Sequence, residues 1–258
     1  MTYKGFDLAG RVAVVVGGTS GIGQAIGRGL AEAGADVVCT GRRADLVDAT
    51  AKEIEAIGRR SLRITSDVQD RGSLERLLGT SIKELGKVDI LVYAAGRTKR
   101  TPFVDVDERE WNDIIDTNLT GAYRSSQIFG RHMIEQKYGR IIHIGSLTSF
   151  VGMQEVAAYT TSKSGIAGLT RALAVEWAKY GVCVNAIAPG VFRTALNEKL
   201  LDGTARGQEL LMRTPMGRFG KVEELVGTAI FLASEAASFV TGAVLEVDGG
   251  FLASGVNQ

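Results

Sequence analysis

Seven short runs rich in β-branched residues recur along the chain, separated by longer stretches of helical period, and this alternation constrains the fold more than any other feature. The runs are "VAVVVGG" (12–18), "DVVCTG" (36–41), "SLRITSDV" (61–68), "ILVYAAG" (90–96), "RIIHIGS" (140–146), "VCVNAIAPG" (182–190) and "AVLEVDGG" (243–250). Between them lie amphipathic stretches such as "IGQAIGRGLAEAG" and "SLERLLGTSIKELG", closed by a Gly suited to a left-handed helix cap. Strands that read as nearly unbroken apolar runs expect burial on both faces, as in a parallel sheet covered by helices. The pattern therefore predicts an α/β, doubly wound parallel sheet of seven strands with helices on both faces, as a single domain over 1–258. In such sheets ligands bind beyond the carboxyl ends of the strands, where the strand order reverses.

Charge and cysteine usage narrow the partners. Lys and Arg total 30 against 29 Asp and Glu, a net charge of +1 with no charged tail to engage nucleic acid or an anionic membrane. Cys39 and Cys183 lie far apart and, with only His132 and His143 beside them in composition, offer neither metal-ligand spacing nor a disulfide framework. The opening "MTYKGFDLAGRVAVVVGG" has its apolar run too late and too short for a signal peptide, and no run reaches the ~18 apolar residues of a membrane span. The expectation is a soluble protein of a reducing, cytoplasmic setting, with a small-molecule partner, no metal and no membrane.

The turn "GGTSGIG" (17–23) follows the first run and leads directly into a helix. Gly17, Gly21 and Gly23 let the backbone turn, approach a pyrophosphate and pack the helix close to the sheet, and free N–H groups at the helix start attract phosphates. Thr19, Ser20 and Ile22 belong to the same nucleotide-binding turn. About 20 residues further on, an NAD site places an acid for the ribose 2′-hydroxyl. Here Gly41-Arg42-Arg43 offers two cations and no carboxylate, which favours NADP over NAD and leaves a charged turn as the plainer reading.

In "AAYTTSKSGIAG" (157–168), Tyr159 and Lys163 are four residues apart, so on a helix they share one face. A nearby cation draws a phenol's pKa down from ~10, which would let Tyr159 exchange a proton near neutrality. Spacing alone fits a surface Tyr beside a solvated Lys better, since such pairs are common on helices.

Taken together in order and spacing, Gly17, Gly21 and Gly23, "AAG" at 94–96, Asn118, Ser146, Tyr159 with Lys163, and Pro189-Gly190 followed by Thr194 resemble the short-chain dehydrogenase/reductase family over essentially the whole chain. That resemblance implies a Rossmann-type NAD(P)-binding domain and an enzyme exchanging a secondary alcohol and a ketone by hydride transfer. It implies Tyr159 as acid/base, Ser146 holding the substrate oxygen, Lys163 lowering the Tyr159 pKa and binding the nicotinamide ribose, and Asn118 holding a water that links Lys163 to solvent. The same resemblance assigns cofactor contacts to Arg42, to Asp67 and Val68 at the adenine edge, to Ala94, Ala95 and Gly96, and to Pro189, Gly190, Val191 and Thr194. A homotetramer is also implied, and "SGIAGLTRALAVEWAKYG" carries small and apolar residues around more of its circumference than one core face requires.

Two positions depart from the family pattern. Val16 stands where a Thr is usual and Ala94 where an Asn is usual; the two changes together leave no half-satisfied polar partner, so a compensated apolar pair is expected.

Specificity is expected from two further segments. The connection over 191–221 is long enough to act as a lid, with one or two short helices within it. The loop "AAGRTKRTPF" (94–103) puts three cations within four residues beside the reaction centre, and its Lys99-Arg100 pair ahead of Thr101-Pro102 resembles the gluconate 5-dehydrogenase branch of the family. Arg100 is expected to clamp a substrate carboxylate, with Lys99 as second choice, against the reading of a solvated basic loop. The expected substrate is a sugar acid of the gluconate or keto-gluconate type. A 3-oxoacyl-thioester reductase, or a non-catalytic nucleotide-binding protein, is the alternative.

Overall fold

The computed structural model describes residues 3–194 and 198–255. Strands β1 (Val12–Val16), β2 (Asp36–Thr40), β3 (Ile90–Tyr93), β4 (Gly139–Ile144), β5 (Val182–Pro189) and β6 (Val244–Val247) form one sheet in the order β2-β1-β3-β4-β5-β6. All five pairings are parallel. Every residue of β1, β3, β4 and β5 is buried, as their unbroken apolar runs require. The chain steps from β1 out to β2 and returns across β1 to β3, so the strand order reverses between β1 and β3 and opens a crevice at their carboxyl ends.

Helices cover both faces. On one, Ile26 and Leu30 of α1 (Gly21–Glu32), Ile54 of α2 (Ala44–Ala56) and Leu232 of α9 (Val226–Ala233) pack on Ala13 and Val15. On the other, Leu74 and Leu77 of α3 (Arg71–Leu85), Phe129 and Met133 of α5 (Gly121–Glu135) and Ile166 of α6 (Ala157–Trp177) pack on Val12, Val14 and Val16. The alternation of faces along β1 follows from the two-residue period of a strand.

The sheet has six strands, one fewer than the sequence predicts. Residues 61–68 run beside β2 without forming a strand. Two rungs are made in parallel register, Val37 N–H to the Arg60 carbonyl (3.0 Å) and Ser66 N–H to the Gly41 carbonyl (3.0 Å). Between them the Thr40 hydroxyl takes the Ile64 carbonyl at 2.5 Å, an acceptor that a regular ladder would give to the Gly41 N–H. Arg63 turns outward to Asp48 and Glu55. This segment is an irregular edge where the sequence pattern reads as a strand.

Between α4 (Glu108–Ile115) and α5 the helix widens into a π turn over Asp116–Thr120. The 191–221 excursion contains α7 (Glu198–Leu201) and α8 (Ala205–Met212), and its two ends meet where the Gly220 N–H reaches the Val191 carbonyl (2.9 Å). Residues 195–197, part of the expected lid, lie outside the described residues. Val16 and Ala94 are adjacent, joined by the Ala94 N–H to the Val16 carbonyl at 2.8 Å, although their side chains pack on opposite faces. The link between β1 and the end of β3 is thus a backbone bond, and the apolar pair leaves no polar group stranded. Cys39 and Cys183 are buried free thiols. Among the described residues no helix is long and apolar enough to cross a membrane, and no cluster of metal-binding side chains is found.

Candidate active site

A cleft of about 860 Å³ opens over the carboxyl ends of β1 and β3. The glycine turn forms one end. Gly17 has φ +78°, and a Cβ there would lie 2.5 Å from the Ala95 nitrogen; a Cβ at Gly23 would lie 2.2 Å from the Gly17 carbonyl oxygen. Only glycine lets the turn sit this close to β3 and lets α1 pack this close to the turn. Ser20, at the start of α1, makes no side-chain capping bond, so the first N–H groups of the helix face the cleft without a side-chain acceptor. At the end of β2, Arg42 and Arg43 also border the cleft, and neither forms an ion pair or side-chain hydrogen bond within the described residues. A cradle of backbone donors with two unpaired cations alongside fits a dinucleotide carrying an additional phosphate.

The cleft wall includes each expected cofactor contact except Val191: Gly17, Thr19, Ser20, Gly21, Ile22, Gly23, Arg42, Asp67, Val68, Ala94, Ala95, Gly96, Tyr159, Lys163, Pro189, Gly190 and Thr194. Val191 instead serves the backbone bond that closes the 191–221 excursion. Sequence reasoning gave no role to Gln69, Thr98 and Phe192, which also line the wall, although Thr98 lies in the basic loop and Phe192 in the 191–221 excursion.

At the other end of the cleft, Ser146, Tyr159 and Lys163 converge. Ser146 follows β4, and its Oγ accepts the Thr148 N–H at 3.2 Å. Tyr159 and Lys163 share a face of α6, with the Lys163 Nζ 5.7 Å from the centre of the phenol ring. Burial pushes the Tyr159 phenol pKa up, and a hydrogen bond with Ser146 works in the opposite direction. Burial also brings the Lys163 ammonium down to about 8. Its Nζ donates to the Ile144 carbonyl at 2.7 Å. The ammonium is therefore engaged with the strand end, and the shift of the phenol is set by burial and Ser146 rather than by the cation that spacing places beside it.

Asn118 sits fully buried in the π turn behind this group. Its Oδ1 accepts the Arg97 N–H (2.8 Å), and its Nδ2 donates to the Arg97 carbonyl (2.9 Å) and to the Ser162 hydroxyl (3.0 Å). These bonds tie the loop after β3 to α6. A Cβ at Gly96 would lie 3.6 Å from the Asn118 Oδ1 and 3.7 Å from the Lys163 Nζ, so three separate elements meet at one point. π turns concentrate at functional sites, and residue spacing carries no signal for one.

His143 is no partner of Ser146. It lies buried between the hydroxyls of Ser126 and Thr170, each at 2.9 Å, and burial lowers its pKa to about 4. A neutral histidine held this way is structural.

The basic loop departs from expectation. Each of its three cations has a carboxylate: Arg97 pairs with Asp113, Lys99 with Glu110 (2.7 Å) and Arg100 with Glu155. Arg97 borders the cleft; Lys99 and Arg100 do not. Arg100 donates Nε (2.9 Å) and Nη2 to the same Glu155 oxygen.

A parallel sheet with a glycine cradle, a half-buried Tyr and a buried Lys on one helix face and a Ser at the neighbouring strand end defines a nucleotide-dependent oxidoreductase of the Rossmann type. A family model described as enoyl-(acyl carrier protein) reductase matches residues 16–252. The chain belongs to the short-chain dehydrogenase/reductase family. It is 41% identical to the 2-dehydro-3-deoxy-D-gluconate 5-dehydrogenase of Dickeya dadantii (strain 3937), over 98% of this chain and 100% of that one. It is 38% identical to the gluconate 5-dehydrogenase of Gluconobacter oxydans (strain 621H), over 96% of this chain and 97% of that one. The solved gluconate 5-dehydrogenase of Burkholderia cenocepacia J2315, in complex with NADP and tartrate, superimposes with a TM-score of 0.94 at 37% identity, covering 98% of this chain and 99% of that one.

Proposed function

We propose that this protein is an NADP(H)-dependent oxidoreductase that interconverts a secondary alcohol and a ketone on a sugar acid of the gluconate type. The observation that carries the reading is a single cleft with an unpaired Arg42 beside a phosphate cradle at one end and Tyr159, Ser146 and Lys163 at the other. The names of the relatives support the sugar acid, and the NADP held by the Burkholderia enzyme supports the cofactor.

The bound nicotinamide would supply or accept the hydride. Tyr159 gives its proton to the substrate oxygen during reduction and takes it back during oxidation, while Ser146 holds that oxygen in hydrogen-bond reach. Lys163, which lines the same cleft, would bind the nicotinamide ribose. Asn118 acts as a positioning residue: its side-chain amide joins Arg97 to Ser162, and a water linking Lys163 to solvent would be held at this residue. The acyl-thioester alternative asks for an apolar channel, whereas the Arg100–Glu155 pair and Arg206 beside it supply charge.

Purified protein given NADPH and a keto-gluconate is expected to consume the cofactor, and given NADP and gluconate to reduce it. Absence of turnover on every sugar acid, together with turnover of a 3-oxoacyl thioester, would replace this reading with the alternative.

A homotetramer is part of the proposal, in a reducing cytoplasmic setting consistent with two free thiols. Along α6 the exposed positions Thr161, Ser164, Gly168, Ala172 and Val175 form a stripe at three- and four-residue spacing, with Val175 84% exposed. A helix that leaves a small, largely uncharged face bare is suited to close packing on a second copy. Sedimentation at micromolar concentration should give a particle about four times the chain mass, and a stable monomer would refute the assembly.

A further inference from the structure

Arg206, in the first turn of α8, lies beside the Arg100–Glu155 pair and is half-buried. Within the described residues its one side-chain hydrogen bond runs from Nη1 to the Gln154 carbonyl at 3.2 Å. A guanidinium has five N–H donors, so most of this fork is uncommitted. Arg97, Lys99 and Arg100 each have a carboxylate in contact; Arg206 has none. Burial lowers its pKa first and the charge of Arg100 next, while Glu155 and, more weakly, Glu209 act the other way. With Glu209 exposed on the same helix, Arg206 thus stands near a carboxylate whose ion pair is with Arg100.

That carboxylate is held in an unusual way. Glu155 has φ +65°, a conformation a non-glycine residue adopts at a cost, and the Thr101 N–H fixes its carbonyl at 2.9 Å. Arg100 directs Nε and Nη2 at one oxygen, Oε2, where a well-matched carboxylate would offer one oxygen to each. Glu155 precedes Tyr159 by four residues, which at full extension is at most about 14 Å of chain. Arg100 and Arg206 stand outside the cleft wall that holds Tyr159, so the chain between Glu155 and Tyr159 sets only an upper limit on how far the cluster lies from the reacting group.

We infer that Arg206 is a specificity-determining residue, the second arm of a substrate-carboxylate site whose first arm is Arg100, and that the Glu155 side chain occupies that site in the absence of the acid. The inference rests on the sugar-acid reading above. The substrate carboxylate takes the place of the Glu155 oxygen on Arg100 and gains Arg206, a partner that Glu155 leaves largely unused.

The test is charge selectivity: the ratio of kcat/KM for gluconate to that for its uncharged amide, with NADP. Arg206→Gln should lower the ratio by about 10-fold or more, mostly through KM for the acid, and Arg206→Lys should fall between, keeping charge but losing the fork. Glu155→Gln should raise the ratio, because the competing carboxylate is gone. NADPH binding by each variant, followed by fluorescence, reports that the fold is kept. Equal losses on acid and amide in Arg206→Gln would overturn the inference, as would a fall in the ratio for Glu155→Gln. Failure of the wild type to oxidise gluconate or any other sugar acid is a different outcome and would overturn the sugar-acid reading itself.

Discussion

Tyr159→Phe lowers turnover by about 10²-fold or more and leaves the affinity for NADPH within a factor of about two. The substitution removes the one transferable proton and keeps the ring that packs against the cleft wall. Two features of the site bear on the size of the effect. The phenol is buried and pushed to a higher pKa, so the protonated form dominates through neutral pH and is ready to give its proton to a ketone. Among the described residues the neighbouring acid is the Lys163 ammonium, which is engaged by the Ile144 carbonyl; Ser146 is a poor acid, and His143 is turned away between Ser126 and Thr170. The same direction of shift sets the pH dependence. In alcohol oxidation Tyr159 must act as a base, its proton must first leave, and kcat/KM should rise with pH. In ketone reduction the protonated phenol is the working form, and the rate should hold across the neutral range. Lys163, at about 8, loses its charge as pH climbs through that value. Steady-state kinetics in both directions beside fluorescence titration of NADPH make the measurement, and comparable turnover in Tyr159→Phe would end the case for a tyrosine acid.

Much of this site is legible in the sequence because it is assembled from short local signals. A strand, a glycine turn and a helix start are contiguous, and Tyr159 and Lys163 share a helix face by spacing alone. What is not legible is pairing between distant segments. The cations of 94–103 look free in a linear reading, yet Asp113, Glu110 and Glu155 neutralise them from eleven to fifty-five residues away. Arg206 carries no motif, and its place beside Arg100 follows from how the 191–221 excursion packs. The segment 61–68 shows the opposite failure: its apolar, β-branched pattern is that of a strand, but at an edge beside β2 the Thr40 hydroxyl competes for the Ile64 carbonyl, and local propensity does not settle such a contest. The pKa of Tyr159 is a third case, since spacing reveals the cation but not the burial that raises the phenol.

Arg42→Asp should shift the ratio of kcat/KM for NADP over NAD by about 10²-fold towards NAD. Charge-assisted hydrogen bonds are worth about 1.5–3 kcal/mol. Loss of the guanidinium from a 2′-phosphate therefore costs NADP about 10-fold or more, at 1.4 kcal/mol per decade. The new carboxylate then acts twice, repelling the 2′-phosphate and accepting a hydrogen bond from the 2′-hydroxyl of NAD. The position suits the exchange, because Arg42 lies just past β2, borders the cleft, and has no side-chain partner among the described residues whose loss would disturb the fold. Arg43 sets the limit: it is a second unpaired cation at the start of α2, so some attraction for the phosphate survives and NADP is weakened without being excluded. Arg43→Ala on its own should accordingly move the ratio less than Arg42→Asp. If Arg43→Ala moves it more, the phosphate sits over the helix start and Arg42 is the solvated member of the pair; if the wild type already prefers NAD, neither cation reads the cofactor.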